Sequence, residues 1–149
     1  MKKKLIVTVV VVMAMVAMTG IVLAHTAEQR ASLSGDNVAP GPGDPEGTGR
    51  AVIRSAPDEG ILCYKIYFKG IGRARGAHIH QGPRGVAGPT HIRLFTTKKG
   101  KRSPAEGCHT GVSVETIEAM HDDPSNYYVD VHTKAYPDGA VRGQLRNTR

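Results

Sequence analysis

The stretch of sequence that decides the fold is YYVDVHTKAYPDGAVRGQL, residues 127–145. Apolar and polar residues alternate in its first half, so that Val129 and Val131 face one side of a strand while Asp130 and His132 face the other. A Pro-Asp-Gly turn and a second apolar stretch follow, which is typical of a β-hairpin. One face of this hairpin is therefore predicted to lie on a core, and the opposite face carries a histidine.

The same two-residue alternation recurs along much of the chain and predicts an all-β fold. It is clearest at 61–69, where every second residue is large and apolar. Segments rich in glycine and proline, at 35–49 and 81–89, are predicted to be loops. Short strands at this spacing predict a Greek-key-like sandwich or small barrel of about eight strands with one short helix. The predicted strands lie at 28–34, 49–54, 61–69, 74–80, 90–95, 127–133 and 140–145, with a further short strand that opens at Cys108.

The segment between the fifth predicted strand and the hairpin departs from this pattern. Residues 96–107 are rich in lysine and are predicted to form a basic loop. The short helix is predicted after Ser113, whose hydroxyl can cap the first helical turn, because Val114, Ile117 and Met120 share one helical face.

The first 24 residues have the features of a secretory signal peptide. Three lysines precede an apolar run over 5–18, and small residues precede a cleavage point after Ala24. Residues 25–149 then form a single domain with its core at about 28–146. The alternative is an uncleaved membrane anchor, since the segment is about 20 residues long, and this is the one contact with a membrane that the sequence predicts. Either way, the protein is expected to be secreted, periplasmic or held in the cell envelope.

The predicted signal peptide accounts for part of the positive charge. The formal net charge of the chain is +7, and residues 1–24 contribute three lysines and no acid, which leaves +4 for residues 25–149. The basic run from Lys98 to Arg102 has no interleaved aromatic residues, and no nucleic-acid-binding motif is present, so nucleic acid is not expected as a partner. A weak attraction to anionic surfaces or polyanions is compatible with this charge.

Two cysteines occur in the chain, Cys63 and Cys108, and both follow the predicted signal peptide. Because an exported protein meets an oxidising compartment, this even pair predicts one disulfide, which would close a loop of about 45 residues and stabilise the fold. The sequence contains no Cys-x-x-Cys redox motif.

A second predicted strand carries two further histidines on one face. Residues 77–82 read AHIHQG, so His78 and His80 point to the same side of the strand while Ile79 points into the core. If this strand lies beside the one that holds His132, three imidazoles converge, and three neutral imidazoles suit copper or zinc. The alternative is that the histidines only order the fold through hydrogen bonds to loop carbonyl groups or to a carboxylate.

Two long stretches resemble the motifs of a known family, the CHRD domain, a module that is repeated in chordin and found singly in many exported microbial proteins. The first is AHIHQGPRGVAGP at 77–89, and the second is the hairpin at 127–145. The resemblance covers about residues 28–146, and the two cysteines are placed as in many members. It implies an extracellular β-sandwich or barrel, mostly without an assigned activity. Asp130 stands where members usually carry Asn, and its carboxylate can accept an imidazole N–H or adjust the charge of the site.

A more distant resemblance is to copper/zinc superoxide dismutase, which also has a His-x-His strand and a later Val-x-His strand followed by a turn and an arginine. This likeness implies copper at His78, His80 and His132, with Arg142 attracting superoxide. The zinc loop of that enzyme has no counterpart, because the connection after the His-x-His strand is too short. His91 is a weaker candidate for a fourth ligand, since its spacing does not match.

A further copper ligand is suggested by the predicted cleavage site. Cleavage after Ala24 would place His25 at the amino terminus, where its amine and imidazole together can chelate copper as a brace. The alternative is coincidence, because some residue must follow the cut and the start of a mature chain is often mobile.

Three functional classes follow from the sequence. The favoured class is a non-catalytic exported module that binds an unidentified extracellular or envelope partner, or has a structural role, because no nucleophile, base and orienting group assemble in the sequence. The second class is a copper-binding protein that stores or delivers the metal. The third is a copper redox enzyme of the superoxide dismutase type. Copper is the expected ion in both metal classes, and zinc is less favoured.

Overall fold

The computed structural model describes residues 26–148, which form nine β-strands and one α-helix. The fold class expected from the sequence, all-β with one short helix, is confirmed. The predicted signal peptide and His25 lie outside the described residues. The elements are β1 (Ala27–Ser34), β2 (Thr48–Ala56), β3 (Ile61–Lys69), β4 (Ala74–Gln81), β5 (Thr90–Lys101), β6 (Ala105–His109), α1 (Val114–Asp122), β7 (Tyr127–His132), β8 (Val141–Gln144) and β9 (Arg146–Asn147).

The nine strands form one antiparallel sheet that curls into a nearly closed barrel. The order is β5-β4-β7-β8-β1-β2-β3-β6, with β9 paired to β1. The chain reaches β7 by a long connection and then returns to the side of β4, as in a Greek key. At the seam between β5 and β6, the His109 ring donates a hydrogen bond to the Leu94 carbonyl oxygen (2.9 Å), and the Lys101 ammonium group donates to the Glu106 carbonyl oxygen (3.3 Å).

The core lies inside this barrel and consists of alternate residues from each strand. In β3 the inward positions Leu62 and Ile66 are fully buried, as the alternation at 61–69 predicted. Val129 and Val131 of β7 are also fully buried, so the intervening residues of β7 face outward. This orientation decides which side of the sheet carries the histidines.

The prediction of a basic loop at 96–107 is wrong. β5 continues to Lys101 and β6 begins at Ala105, so Cys108 lies near the end of a strand instead of opening one. Residues 96–101 contain no large apolar side chain, so they give no alternation from which a strand could be predicted. Pairing with β4, where Ala74 lies opposite Lys101, supplies the strand conformation that the local pattern does not.

The predicted disulfide and helix cap are both present. Cys63 and Cys108 are directly paired residues of β3 and β6, and they form a disulfide. The Ser113 hydroxyl oxygen accepts a hydrogen bond from the Thr116 backbone N–H (3.2 Å), which caps α1. Among the described residues, no helix has the length and apolar character needed to cross a bilayer.

Candidate metal centre

The three predicted histidines meet on the outer face of β4 and β7. These strands pair with His78 opposite Asp130 and Gly76 opposite His132, so the expectation that they are neighbours is confirmed. Ile79 is fully buried on the other side of β4, which turns His78 and His80 outward. The glycine opposite His132 leaves room beside that imidazole, and the three rings gather around the Asp130 carboxylate.

Asp130 contacts all three imidazoles. Its two carboxylate oxygens lie 2.9 Å from His132 Nε2, 3.1 Å from His80 Nε2 and 3.8 Å from His78 Nδ1. The His78 ring centroid lies 4.8 Å from that of His132 and 5.5 Å from that of His80. One ligand atom from each of these four residues lies within 4.8 Å of all the others. The sequence predicted three imidazoles here, with Asp130 as an acceptor of an imidazole N–H or a source of charge, and in the structure Asp130 lies at the centre of the three rings.

Two backbone carbonyl groups fix the orientation of two rings. The His80 Nδ1 atom lies 2.9 Å from the Gly88 oxygen, and the His132 Nδ1 atom lies 2.8 Å from the Pro137 oxygen. Because a carbonyl oxygen only accepts, each Nδ1 carries the hydrogen and donates it. In a neutral ring the Nε2 atom then has no hydrogen and carries a lone pair. Both of these Nε2 atoms are directed at the Asp130 carboxylate.

The cluster holds a buried negative charge next to weakly exposed imidazoles. Asp130 is only 5% exposed, and burial would raise its pKa, but its contacts with the His132 and His80 imidazoles and their charges outweigh burial and lower the pKa to about 2. Burial would likewise lower the pKa values of His80 and His132, but contact with Asp130 outweighs it and raises both above their ordinary value. For His78, burial dominates and lowers the pKa to about 4, so this ring is neutral at neutral pH.

A cavity of about 690 Å³ lies over the cluster. Its walls come from the proline-rich loop at 38–42, the turn at 135–139 and the end of the glycine-rich loop before β5. The histidines and Asp130 line the cavity, so a small molecule or hydrated ion can reach them from this side.

The Arg142 side chain binds the glycine-rich loop at 81–89. It is 2% exposed, and its guanidinium group donates to the Val86 oxygen (2.9 Å) and the Pro83 oxygen (2.8 Å) while lying 3.4 Å from the centre of the Tyr128 ring. The side-chain amide of Gln144 donates to a third carbonyl oxygen of the same loop, that of Gly82 (3.0 Å). These contacts hold down the loop whose far end orients His80.

Tyr128 and Gly88 also hold the His80 ring in place, a role that was not predicted from the sequence. The Tyr128 ring stacks on the His80 ring at 4.9 Å, and its hydroxyl oxygen accepts a hydrogen bond from the Gly88 N–H (3.1 Å). Residue 88 must be glycine, because a Cβ atom there would collide with the carbonyl oxygen of Gln81. The length and glycine content of this loop were visible in the sequence, but the position of one carbonyl group was not.

His91, the weaker candidate ligand, lies away from the cluster. Its Nε2 atom donates to the Thr116 carbonyl oxygen (3.2 Å), and its ring packs against Tyr127 at 4.9 Å. Within the described residues, the group that could hold a metal contains His78, His80, Asp130 and His132, without His91.

The curled antiparallel sheet and the disulfide between paired strands define a small β-domain of the kind found in oxidising compartments. The family model for the CHRD domain matches residues 29–145, which is nearly all of the described chain. The chain therefore belongs to the CHRD domain family, a family of extracellular modules. Neither the curated proteins nor the solved structures contain a match.

Proposed function

We propose that this protein is a non-catalytic extracytoplasmic binding module whose ligand is a copper ion, held by His78, His80 and His132 beside Asp130. The observation that carries the proposal is the orientation of two imidazoles. His80 and His132 each have the Nδ1 hydrogen fixed on a backbone carbonyl group and the Nε2 atom directed at a buried carboxylate.

That orientation is unfavourable when the rings are neutral and no cation is present. The Nε2 lone pairs would face carboxylate oxygens at 3.1 Å and 2.9 Å, and a lone pair against an anion is repulsive. Two arrangements remove the repulsion: a proton on each Nε2 atom, or a metal cation between the rings. The His132 Nε2 atom is aligned for a hydrogen bond with Asp130, but the buried His80 Nε2 atom has no aligned hydrogen bond with any described residue, which favours a metal at His80.

The distances suit a metal after a small closure. Histidine ligands of a tetrahedral metal lie about 2 Å from it and therefore about 3.3 Å from one another. Since the candidate atoms lie within 4.8 Å of one another, the widest pair would approach by about 1.5 Å. The His78 side chain makes no hydrogen bond with residues 26–148, since it lies 3.8 Å from Asp130, and it can rotate toward the other two rings. An N–H donated to a carbonyl oxygen is also the usual outer contact of a metal-binding histidine.

Copper is the ion that this set of ligands favours. Imidazole nitrogens suit both copper and zinc, and a given set of nitrogen and oxygen ligands generally binds copper(II) more tightly than zinc(II). Asp130 supplies the negative charge that partly balances the bound cation, either as a fourth ligand or through its contact with His132.

Binding is favoured over catalysis by the contacts of Arg142. The dismutase-like alternative needs this arginine to attract an anion, but its guanidinium group already donates to two loop carbonyl oxygens and stacks on Tyr128. A copper redox enzyme is kept as the second candidate, because the cavity over the cluster gives a small molecule access to the site.

The test is a titration of purified, metal-free protein with copper(II) and with zinc(II). We expect one copper ion per chain, and we expect His80→Ala and His132→Ala to weaken copper binding by more than about a hundredfold, since each removes a ligand. His91→Ala and His109→Ala are matched controls, because both rings donate to carbonyl oxygens outside the cluster. Equal affinity in the site variants and the control variants would contradict the proposal. Superoxide consumption by the copper-loaded protein would favour the redox enzyme over the binding module.

A further inference from the structure

One end of the barrel carries a concentration of positive charge that forms no ion pair within the described residues. Residues 60–105 contain ten lysines and arginines and no aspartate or glutamate. Six of these cations lie near the end of the paired strands β4 and β5, where Ala74 lies opposite Lys101. We call them the β4–β5 cationic cluster: Arg73, Arg75, Lys98, Lys99, Lys101 and Arg102.

The cluster differs from the other basic surface of the protein in having no carboxylate partners. On the outer face of β1 to β3, Arg30 and Arg54 pair with Glu28, and Lys65 pairs with Glu106. None of the six cluster cations forms an ion pair with any residue in the described range 26–148. Five of them are exposed, and only Lys101 is half-buried. Because no described carboxylate offsets their mutual repulsion, these cations favour the approach of an anion.

Four of these cations lie on the paired strands β4 and β5, in the irregular stretch between the pairs Ala74–Lys101 and Gly76–Thr96. Arg73 donates to the Gly100 carbonyl oxygen across the strands (3.0 Å), and β5 extends through the lysines instead of forming the loop that the sequence suggested. The Lys101 ammonium group lies 4.8 Å from the centre of the Phe95 ring. From Lys98 to Arg102 the cluster extends at most about 13 Å along β5. A linear anion would meet charges that are already arranged along its length.

The surroundings of the cluster favour a hydrophilic partner. The large apolar residues exposed in the described chain are Val86 and Val114, and neither belongs to the cluster, so it lacks the apolar centre of a protein interface and an anchor for a bilayer. Phe95 is only 9% exposed, so it offers no surface on which bases could stack. We propose that the β4–β5 cationic cluster binds a linear anionic polysaccharide.

The test measures binding of metal-free protein to polygalacturonate, with neutral dextran as the uncharged control. Metal-free protein makes the result independent of the histidine site. We expect binding at about 50 mM salt that weakens steeply by about 200 mM, because bound counterions are released. The variant Lys98→Gln, Lys99→Gln, Arg102→Gln should bind at least about tenfold more weakly and with a shallower salt dependence.

The matched control removes the same charge elsewhere. The variant Arg50→Gln, Arg84→Gln, Arg146→Gln changes three exposed arginines outside the cluster and should keep most of the affinity. A charge-retaining variant, Lys98→Arg, Lys99→Arg, Arg102→Lys, should bind like the original chain, which separates charge from folding. Equal losses in the two glutamine variants, binding to neutral dextran, or stronger binding to phosphatidylglycerol vesicles or duplex DNA than to polygalacturonate would overturn the proposal.

Discussion

Replacing Asp130 by asparagine removes the charge at the centre of the histidine cluster and leaves its shape almost unchanged. The carboxylate is 5% exposed and contacts His80 Nε2 and His132 Nε2 at 3.1 Å and 2.9 Å. In metal-free protein at low pH, both rings are protonated and attract the carboxylate. At high pH both rings are neutral and turn lone pairs toward it, because their hydrogens are held on Nδ1. The cost of Asp130→Asn should therefore depend on pH.

The size of the effect follows from the pKa of Asp130. It is about 2 in the folded protein against an ordinary value of 3.8, a difference worth about 2 kcal/mol of stability. Since the pKa is lowered, this stabilisation is present above about pH 4 and is lost as the pH falls toward 2. The raised pKa values of His80 and His132 act in the opposite direction, so their stabilisation is present below about pH 6.5 and is lost as the pH rises through the folded-state pKa.

Between these limits the carboxylate and the imidazolium groups stabilise each other. We expect Asp130→Asn to lower the free energy of unfolding by about 2 kcal/mol near pH 5. Near pH 8.5 we expect a much smaller loss, because the asparagine amide can donate to a neutral Nε2 atom.

The assay is urea unfolding at these two pH values with a chelator present. Asp58→Asn is the matched control, since that carboxylate is exposed in a turn and should show little effect at either pH. An equal loss at both pH values, or a larger loss at the higher one, would refute the assignment of the ring hydrogens.

Three further predictions follow from contacts around and beyond the cluster. The apparent copper affinity, measured in a competition titration, should fall by up to about a hundredfold from pH 7 to pH 6. The reason is that the raised pKa values of His80 and His132 make two protons compete with the metal. An affinity that does not depend on pH would contradict this prediction. Gly88→Ala should weaken copper binding by about tenfold or more, since it displaces the carbonyl group that orients His80, whereas Gly41→Ala, with open space around residue 41, should bind like the original chain. Replacing both cysteines by serine should lower the free energy of unfolding by about 4 kcal/mol, as expected for a 45-residue separation, and an unchanged urea midpoint would contradict the structural role of the bond.

Much of the barrel could be predicted because its strands alternate strictly. β3 and β7 have apolar residues at every second position, and Ser113 caps the helix that follows it directly. These strands and the start of the helix could therefore be predicted from residues that are neighbours in the sequence. The extension of β5 to Lys101 could not be predicted in this way, because the lysine-rich half of that strand is held by its partner β4 and not by a core-facing pattern of its own.

The three histidines of the candidate site could be predicted from the sequence, but the orientation of their rings and the burial of Asp130 could not. The positions of His78, His80 and His132 on outward strand faces follow from alternation, and their meeting required only that β4 and β7 pair. The direction of each imidazole depends on loop carbonyl groups at 88 and 137, whose positions result from the packing of the whole chain. The burial of Asp130 likewise depends on loops that cover the sheet, which no local pattern encodes.

The most direct test of the account is the electron paramagnetic resonance spectrum of the protein loaded with one equivalent of copper(II). We expect hyperfine coupling to imidazole nitrogens from His78, His80 and His132, with one imidazole lost from the spectrum in each single alanine variant and none lost in His91→Ala. A spectrum without imidazole coupling, or one that none of the three site variants alters, would contradict the metal centre.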